Sequence, residues 1–183
     1  MMPAKFGAIK RCNVVQDNQA LKRNLNLYVV SEDQNGNLSI SNPTIKQNLK
    51  NWLNQYRMIN DTVDILDAKI INIGIDFEIV AELDKNKFEA LSVATQALRD
   101  KFLQINEIGE PINIGQIYKT LNVVNGVSDT VNVSLRVISG GRYSSSDFNI
   151  NDNLSPDGRL LIAPNDSIFE IRYISEDIKG AVR

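Results

Sequence analysis

Few residues in this chain are suited to nucleophilic or acid–base chemistry. The 183-residue sequence has one cysteine, Cys12, and no histidine, so it lacks the commonest general base and the commonest metal ligand of proteins. Catalysis of the Cys–His or Ser–His–Asp type is therefore excluded, and so are zinc sites built from cysteine and histidine. Because Cys12 has no histidine partner anywhere in the chain, we expect it to be a structural or surface residue.

Carboxylate groups provide two further candidates for chemistry. Asp147, Asp152 and Asp157 lie in an Asn-rich segment that resembles a calcium loop, but the glycine and the closing glutamate of the EF-hand pattern are absent. Asp76 and Glu78 provide the pair of carboxylates that a glycosidase needs, yet alternation along a strand also places them on one face. We therefore predict a turn-rich polar loop, a solvated strand face and no metal site.

A glycine-rich run, Gly140-Gly141-Arg142, is the remaining candidate for ligand binding. It does not match the phosphate-binding pattern G-x-x-x-x-G-K-[ST], and no lysine follows at the required place. We predict a flexible hinge here. Together with the missing histidine, this leads us to expect no cofactor and no enzymatic activity.

Charge and hydropathy limit the classes of partner. The formal net charge is −2 and the sequence pI is near 5.2, whereas nucleic-acid binding usually requires a basic face. No stretch reaches the roughly 18 apolar residues of a membrane span, and the N-terminus has no signal-peptide core. We expect a soluble protein made inside the cell, with no nucleic acid and no membrane as partner, and a single cysteine favours a reducing compartment.

The first half of the chain contains a predicted hairpin and helix. Alternation predicts a strand over residues 25–30, and Asn35-Gly36 predicts the turn after it. Asn42 is a good N-cap, and the following proline suits the first helical position. An apolar stripe that includes Trp52 predicts that this helix continues to about Met58, where Asn60-Asp61 ends it.

The most informative segment is a long strand predicted from about Lys69 to Leu83. Five apolar residues fall on one face: Ile71, Ile73, Ile75, Phe77 and Ile79. Asn72, Asp76 and Glu78 fall on the other face, which we predict to be wet. Strict period-two alternation over this length is typical of a strand with one buried face.

Two helices and two strands are predicted in the remainder. The first helix begins after Asn86, carries Phe102 and ends near Leu103; the second begins after Asn113 and ends before Asn125-Gly126. Alternation predicts strands at 131–137 and 168–174, separated by an irregular, polar connection.

This order of elements predicts an α+β fold. We expect a ferredoxin-like split sheet with helices packed on one face, with the long strand facing the helices that carry Trp52 and Phe102. The predicted divisions are an N-terminal extension at 1–24, an α+β core domain at 25–138, and a C-terminal loop-and-strand arm at 139–183.

Two segments carry a resemblance to a known family. Residues 50–77, KNWLNQYRMINDTVDILDAKIINIGIDF, resemble the C-terminal region of the large inner-ring baseplate wedge subunit of T-even-like tailed phages, within the broader J-like baseplate family. The run LKNWLNQYRMIND, residues 49–61, is the most specific part. Residues 155–183, SPDGRLLIAPNDSIFEIRYISEDIKGAVR, resemble the end of the same subunit. Full subunits of this family are longer, so the chain resembles their C-terminal part.

The resemblance implies a structural virion protein without catalytic residues. Members of the family build the inner ring of the baseplate, so it implies self-association and contacts with other baseplate wedge proteins. It also implies a location in the tail baseplate of the virion, after synthesis in the host cytoplasm. The alternative is a small-molecule-binding regulatory module on a ferredoxin-like sheet; a glycine-rich ligand loop at a helix start would favour it, and the sequence has none.

The C-terminal strand gives the predicted self-association a place. A terminal strand with one apolar face needs a partner, either in its own sheet or on a neighbouring copy. We predict a homodimer with two-fold symmetry, the commonest closed arrangement, with the contact in the region from Ser139 to Arg183. The candidate contact residues are Ile168, Phe169, Ile171 and Tyr173.

Overall fold

The computed structural model describes residues 9–17, 24–56, 62–102 and 106–183. The predicted end of one helix near Met58, its break at Asn60-Asp61 and the predicted end of another at Leu103 lie outside these residues. Contacts divide the chain into two compact units, which are described separately. Unit 1 comprises Met1–Ile70, Glu107–Gly109 and Pro164–Ile168, and unit 2 comprises Ile71–Asn106, Glu110–Ala163 and Phe169–Arg183.

The described residues form helices and several sheets whose strand pairs are mixed parallel and antiparallel, which confirms the α+β class. In chain order the elements are β1 (Arg11–Gln16), β2 (Asn24–Glu32), β3 (Leu38–Ser39), α1 (Pro43–Leu53), β4 (Thr62–Asp67), β5 (Lys69–Ala81), α2 (Lys87–Phe102), β6 (Ile112–Asn113), α3 (Ile114–Asn122), β7 (Val127–Val137), α4 (Ile150–Asn153), β8 (Leu160–Leu161), β9 (Ser167–Glu170), α5 (Ile174–Asp177) and β10 (Ile178–Val182).

The sheet of unit 1 is centred on β2. Strand β1 pairs with it in antiparallel fashion, and β4 pairs with its other edge in parallel fashion. The short strand β3 returns after the Asn35-Gly36 turn, where Gly36 has a φ of 82°. The sequence predicted β2 and the turn, but it left β1 inside an N-terminal extension.

Helix α1 covers one face of this sheet. Its N-cap is Asn42, as predicted, since the side-chain oxygen accepts a hydrogen bond from Thr44 N at 2.9 Å. A small apolar cluster forms under the helix; it consists of buried Leu27, Val29 and Leu49, with Ile9, Trp52, Leu53, Val63 and Ile65 packed against it. The prediction that Trp52 faces the long strand β5 is therefore wrong, because Trp52 packs on the β2–β4 sheet.

The sheet of unit 2 is centred on β5. Strand β10 pairs with β5 in parallel fashion and β7 pairs with it in antiparallel fashion, while β9 is a further partner of β5. The prediction of one split sheet over residues 25–138 differs from this arrangement. Strands β2 and β5 belong to different sheets, and residues after 138 supply two of the strands that pair with β5.

Helices α2 and α3 cover one face of β5, and this part of the prediction is confirmed. The large apolar cluster between them includes Ile71, Ile73, Ile75, Phe77 and Ile79 from β5, Ala94 and Leu98 from α2, and Ile117 and Leu121 from α3. Phe102 packs against the same cluster. The cluster also contains Leu161, Phe169 and Ile178, which lie in the predicted arm.

The C-terminal elements differ from the predicted single strand over Ile168–Ile174. Strand β9 ends at Glu170, α5 follows, and β10 returns to the edge of β5. The compact units are thus divided differently from the predicted segments, since most of the arm belongs to the same unit as β5.

Candidate assembly site

The structure places the four predicted contact residues in two different environments. Ile168 and Phe169 are buried, with 0% and 1% of their surface exposed, and the ring of Phe169 packs edge-on against Phe148 with centroids 5.5 Å apart. Neither residue is available to a second copy, so both are corrected from contact residues to core residues. Ile171 is half-buried against the large apolar cluster, and Tyr173 is half-buried.

Tyr173 belongs to a group of side chains that we call the C-terminal polar cluster: Arg142, Tyr143, Tyr173, Glu176 and Asp177. The rings of Tyr143 and Tyr173 meet edge to face, with centroids 5.4 Å apart. The guanidinium of Arg142 lies 4.5 Å from the centre of the Tyr173 ring, a cation–π contact. Arg142 also pairs with Glu176 at 2.7 Å. The cluster therefore joins the loop at 142–143 to helix α5.

Asp177 is the buried member of the C-terminal polar cluster and holds two of its residues in place. It is 1% exposed, and its carboxylate accepts hydrogen bonds from the Tyr143 hydroxyl at 2.7 Å and from Tyr173 N at 2.8 Å. The hydrogen bond to Asp177 raises the pKa of Tyr143 to about 12, with burial and the Asp177 charge acting in the same direction. A buried carboxylate with two donors is satisfied, which makes this contact structural.

A second buried polar residue, Asn72, holds the loop at 138–144, which carries Arg142 and Tyr143 of the cluster. Its side-chain oxygen accepts a hydrogen bond from Ser144 N at 2.7 Å, and its amide donates to Glu170 at 2.6 Å. The backbone carbonyl of Asn72 accepts from Ile138 N at 2.9 Å. Asn72 is 1% exposed, so the predicted wet face of β5 is wrong at this position, because residues 138–144 and β9 cover it.

At two glycines of the unit 2 sheet, atoms of neighbouring segments come very close to the strand backbone. A Cβ at Gly74 would lie 2.7 Å from Cζ of Arg136 and 2.9 Å from the carbonyl oxygen of Asp177. A Cβ at Gly180 would lie 2.6 Å from Cδ1 of Leu91. Glycine within a strand often marks such an approach, so Gly74 was the sequence signal that β5 has a second covered face.

The paired carboxylates of β5 are engaged in separate ion pairs. Asp76 pairs with Arg136 at 2.9 Å, and Glu78 pairs with Arg183. Both carboxylates are half-buried and each has its own arginine. The two carboxylates therefore belong to two separate ion pairs and not to one site. Cys12 is exposed on β1 in unit 1.

The loop carboxylates also have local partners. Asp152 accepts a hydrogen bond from the side chain of Asn149 at 2.7 Å. A hydrogen bond from the Ser155 hydroxyl lowers the pKa of Asp157. Within the described residues, no group of three Cys, Asp or Glu side chains is placed to hold a metal ion. Gly140 and Gly141 form a turn with φ of 81° and 61°, in open space.

None of the helices in the described parts of the chain has the length and apolar character needed to cross a bilayer.

Comparison with known proteins finds matches among solved structures. No family model and no curated protein matches the chain. Among solved structures, the chain is similar to a chain of the anti-feeding prophage (AFP) baseplate, determined by cryo-EM with 6-fold symmetrisation. The TM-score is 0.52 at 12% identity, and the match covers 86% of this chain and 31% of that chain. The likeness establishes a shared fold, and this chain spans about a third of its neighbour's length.

Proposed function

We propose that this chain is a structural subunit of a contractile-tail baseplate and corresponds to the C-terminal part of the large inner-ring wedge subunit. The observation that carries the proposal is the fold shared with the AFP baseplate chain over 86% of this sequence. The resemblance of residues 50–77 and 155–183 to a wedge subunit supports the same conclusion from the sequence. In this proposal the chain acts in the virion tail after synthesis in the host cytoplasm.

The proposed partners are neighbouring copies of the chain and other baseplate wedge proteins, with no nucleic acid, membrane or cofactor involved. We include no catalytic role, and the sequence supports this because it has no histidine. A structural role also suits the C-terminal polar cluster, whose hydrogen bonds join segments of the chain to each other.

The exposed part of the C-terminal polar cluster is the proposed place of the two-fold contact. The side chains of Arg142 and Glu176 are 62% and 55% exposed, and arginine and tyrosine are enriched among residues that dominate interfaces. Truncation after Ile138 would not test this contact, because it would remove Phe169 and Ile178 from the core. Point substitutions at exposed residues are therefore needed.

Arg142→Glu places a second negative charge beside Glu176. We expect this substitution to weaken the homodimer at least about tenfold. Arg159→Glu is the matched control, since Arg159 is also exposed and lies in the same C-terminal region. Sedimentation velocity over a concentration series would measure both. Equal dimer affinities for the two variants would place the contact elsewhere.

The function itself is tested by quantitative mass spectrometry of tail particles purified from the source of this sequence. The proposal predicts that this chain is present in a fixed ratio to the other baseplate proteins. Its absence from intact particles would contradict the proposal.

A further inference from the structure

Helix α2 of unit 2 has exposed apolar side chains at one end and a groove at the other. At the end where α2 begins, Leu83 is fully exposed, Phe88 is 80% exposed and Val123 is 79% exposed. We call these three residues the apolar tip. Single exposed apolar residues are ordinary, but three at one end of a unit are typical of an interaction site.

Backbone contacts bring the tip residues to the same end of unit 2. Leu83 follows Glu82, whose N–H donates to the Gly126 carbonyl at 3.1 Å. A Cβ at Gly126 would lie 3.4 Å from Ala90 in the first turns of α2. The end of α3, which carries Val123, therefore lies beside the start of α2.

A groove of about 590 Å³ lies at the other end of the same two helices. Its apolar lining is formed by Phe102, Pro111, Ile112 and Leu160. Its polar lining is larger and is formed by Lys101, Asn106, Glu110, Asn113 and Gln116. Lys101 donates to Gln116 at 3.1 Å and to Thr120 at 3.2 Å, so α2 ends beside the start of α3. The 16 residues of α2 separate tip from groove by about 24 Å.

We propose that the apolar tip of one copy inserts into this groove of the next copy, so that the chains associate head to tail. The volume of the groove lies within the roughly 300–1,000 Å³ range of binding pockets. A groove of this size accommodates an aromatic ring together with an aliphatic side chain. Tip and groove lie at opposite ends of one helix, so they cannot meet within one copy. A head-to-tail contact of this kind generates rings or filaments.

The charges at the two ends are compatible with this orientation. Asp84 and Lys85 are exposed at the tip, and Lys101 and Glu110 line the groove, so each end presents both signs of charge and pairs of opposite charge can form. The positive N-terminal end of α2 would also approach the negative C-terminal end of the next α2. Exposed charge pairs contribute little to affinity, but they favour one direction of docking.

The tip is too small to hold two isolated chains together firmly. A standard interface buries about 800 Å² on each partner, and three side chains supply only part of that area. The contact is therefore weak between free chains and strengthens when other contacts hold copies side by side. This inference rests on the self-association in the proposed function and adds surfaces that are different from the C-terminal polar cluster.

Cross-linking tests the orientation, because the chain has a single native cysteine. In a Cys12→Ser background, Asp84→Cys labels the tip and Glu110→Cys labels the groove. With a short bismaleimide reagent at about 1 mM chain, where contacts of millimolar Kd are substantially occupied, the two variants should cross-link to each other when mixed. Each variant alone should give little product, and the double-cysteine variant should give a ladder of multimers.

Tip-to-tip products, dimers without a ladder, or no product from the mixture would each overturn the proposal. Leu83→Asp and Phe88→Asp should lower the mixed yield at least about tenfold, whereas Ile40→Asp, which alters an apolar residue that is 71% exposed elsewhere, should leave it unchanged. Trp52 fluorescence and circular dichroism check folding. If mass spectrometry finds the chain in tails but no ladder forms, the head-to-tail contact fails and the proposed function stands.

Discussion

The two apolar clusters of this protein are built from the sequence in different ways. The small cluster of unit 1 uses residues from one continuous part of the chain, between Ile9 and Ile65. The large cluster of unit 2 joins β5 to Leu161, Phe169 and Ile178, about 80 to 100 residues further along the chain. An apolar face is therefore visible in the sequence, whereas the segment that covers it is not.

The largest expected effect comes from charging the centre of the large cluster. Ile75 is 0% exposed, so Ile75→Asp would bury a carboxylate without a partner and should cost several kcal/mol, about 4 or more. Urea denaturation would measure the loss. Ile40→Asp is the control, with an expected change within about 0.5 kcal/mol; equal stability of wild type and Ile75→Asp would refute the assigned core.

A matched pair of leucine truncations compares the two clusters directly. Leu98 is 0% exposed in the large cluster and Leu49 is 6% exposed in the small one. We expect Leu98→Ala to cost about 3–4 kcal/mol and Leu49→Ala about 2 kcal/mol, because a small cluster near the surface relaxes more easily. Unfolding followed by circular dichroism would measure the loss of stability in both variants. The fluorescence of the single tryptophan, Trp52, would report on the small cluster. A larger loss for Leu49→Ala would reverse the comparison.

The C-terminal polar cluster provides a smaller effect within unit 2. Asp177→Ala removes the acceptor of two hydrogen bonds and leaves Tyr173 N without its partner, at a cost of about 2 kcal/mol. Asp152→Ala, at an exposed position of the short helix α4, is the control and should change the free energy of unfolding by less than about 0.5 kcal/mol. Similar values for the two variants would show that the buried carboxylate does not anchor the loop.

The smallest expected effect depends on pH. Tyr143→Phe removes one hydrogen bond and should cost about 1 kcal/mol at pH 8. Because the folded-state pKa of Tyr143 is raised to about 12, from about 10 in an unfolded chain, the wild type keeps this contribution below pH 10 and loses it as pH rises towards 12. The difference between wild type and variant should therefore vanish over this range. A difference that stays constant would rule out this linkage, and Tyr56→Phe, at an exposed tyrosine, is the control.

The sequence predicted local elements well and their partners poorly. The caps at Asn42 and Asn113 and the apolar face of β5 follow from short-range rules, and the structure has all of them. The placement of Trp52 was wrong because a helical stripe does not specify which sheet it meets. The polarity of Asn72 suggested a wet face, although two long-range hydrogen bonds satisfy it in the interior.

The candidate site was only partly visible in the sequence for the same reason. The apolar face of Ile168–Tyr173 was recognised, but its partner was β5 of the same chain for the buried part. Strand β10 was not predicted, since Gly180 and Lys179 interrupt its apolar character. The ring of Phe77 in β5 and the side chain of Leu91 in α2 both approach Gly180, which explains why a glycine is required there.

Hydrogen exchange of the backbone amides of β10 tests most directly whether the C-terminal segment belongs to the core of unit 2. If residues 178–182 are an integral strand of the large cluster, their paired amides should be protected to a degree similar to those of Ile75 and Phe77 in β5. Exchange measured by NMR would report both strands in one experiment. Rapid exchange throughout 178–182 alongside a protected β5 would contradict the account, because it would make the C-terminal segment a peripheral arm.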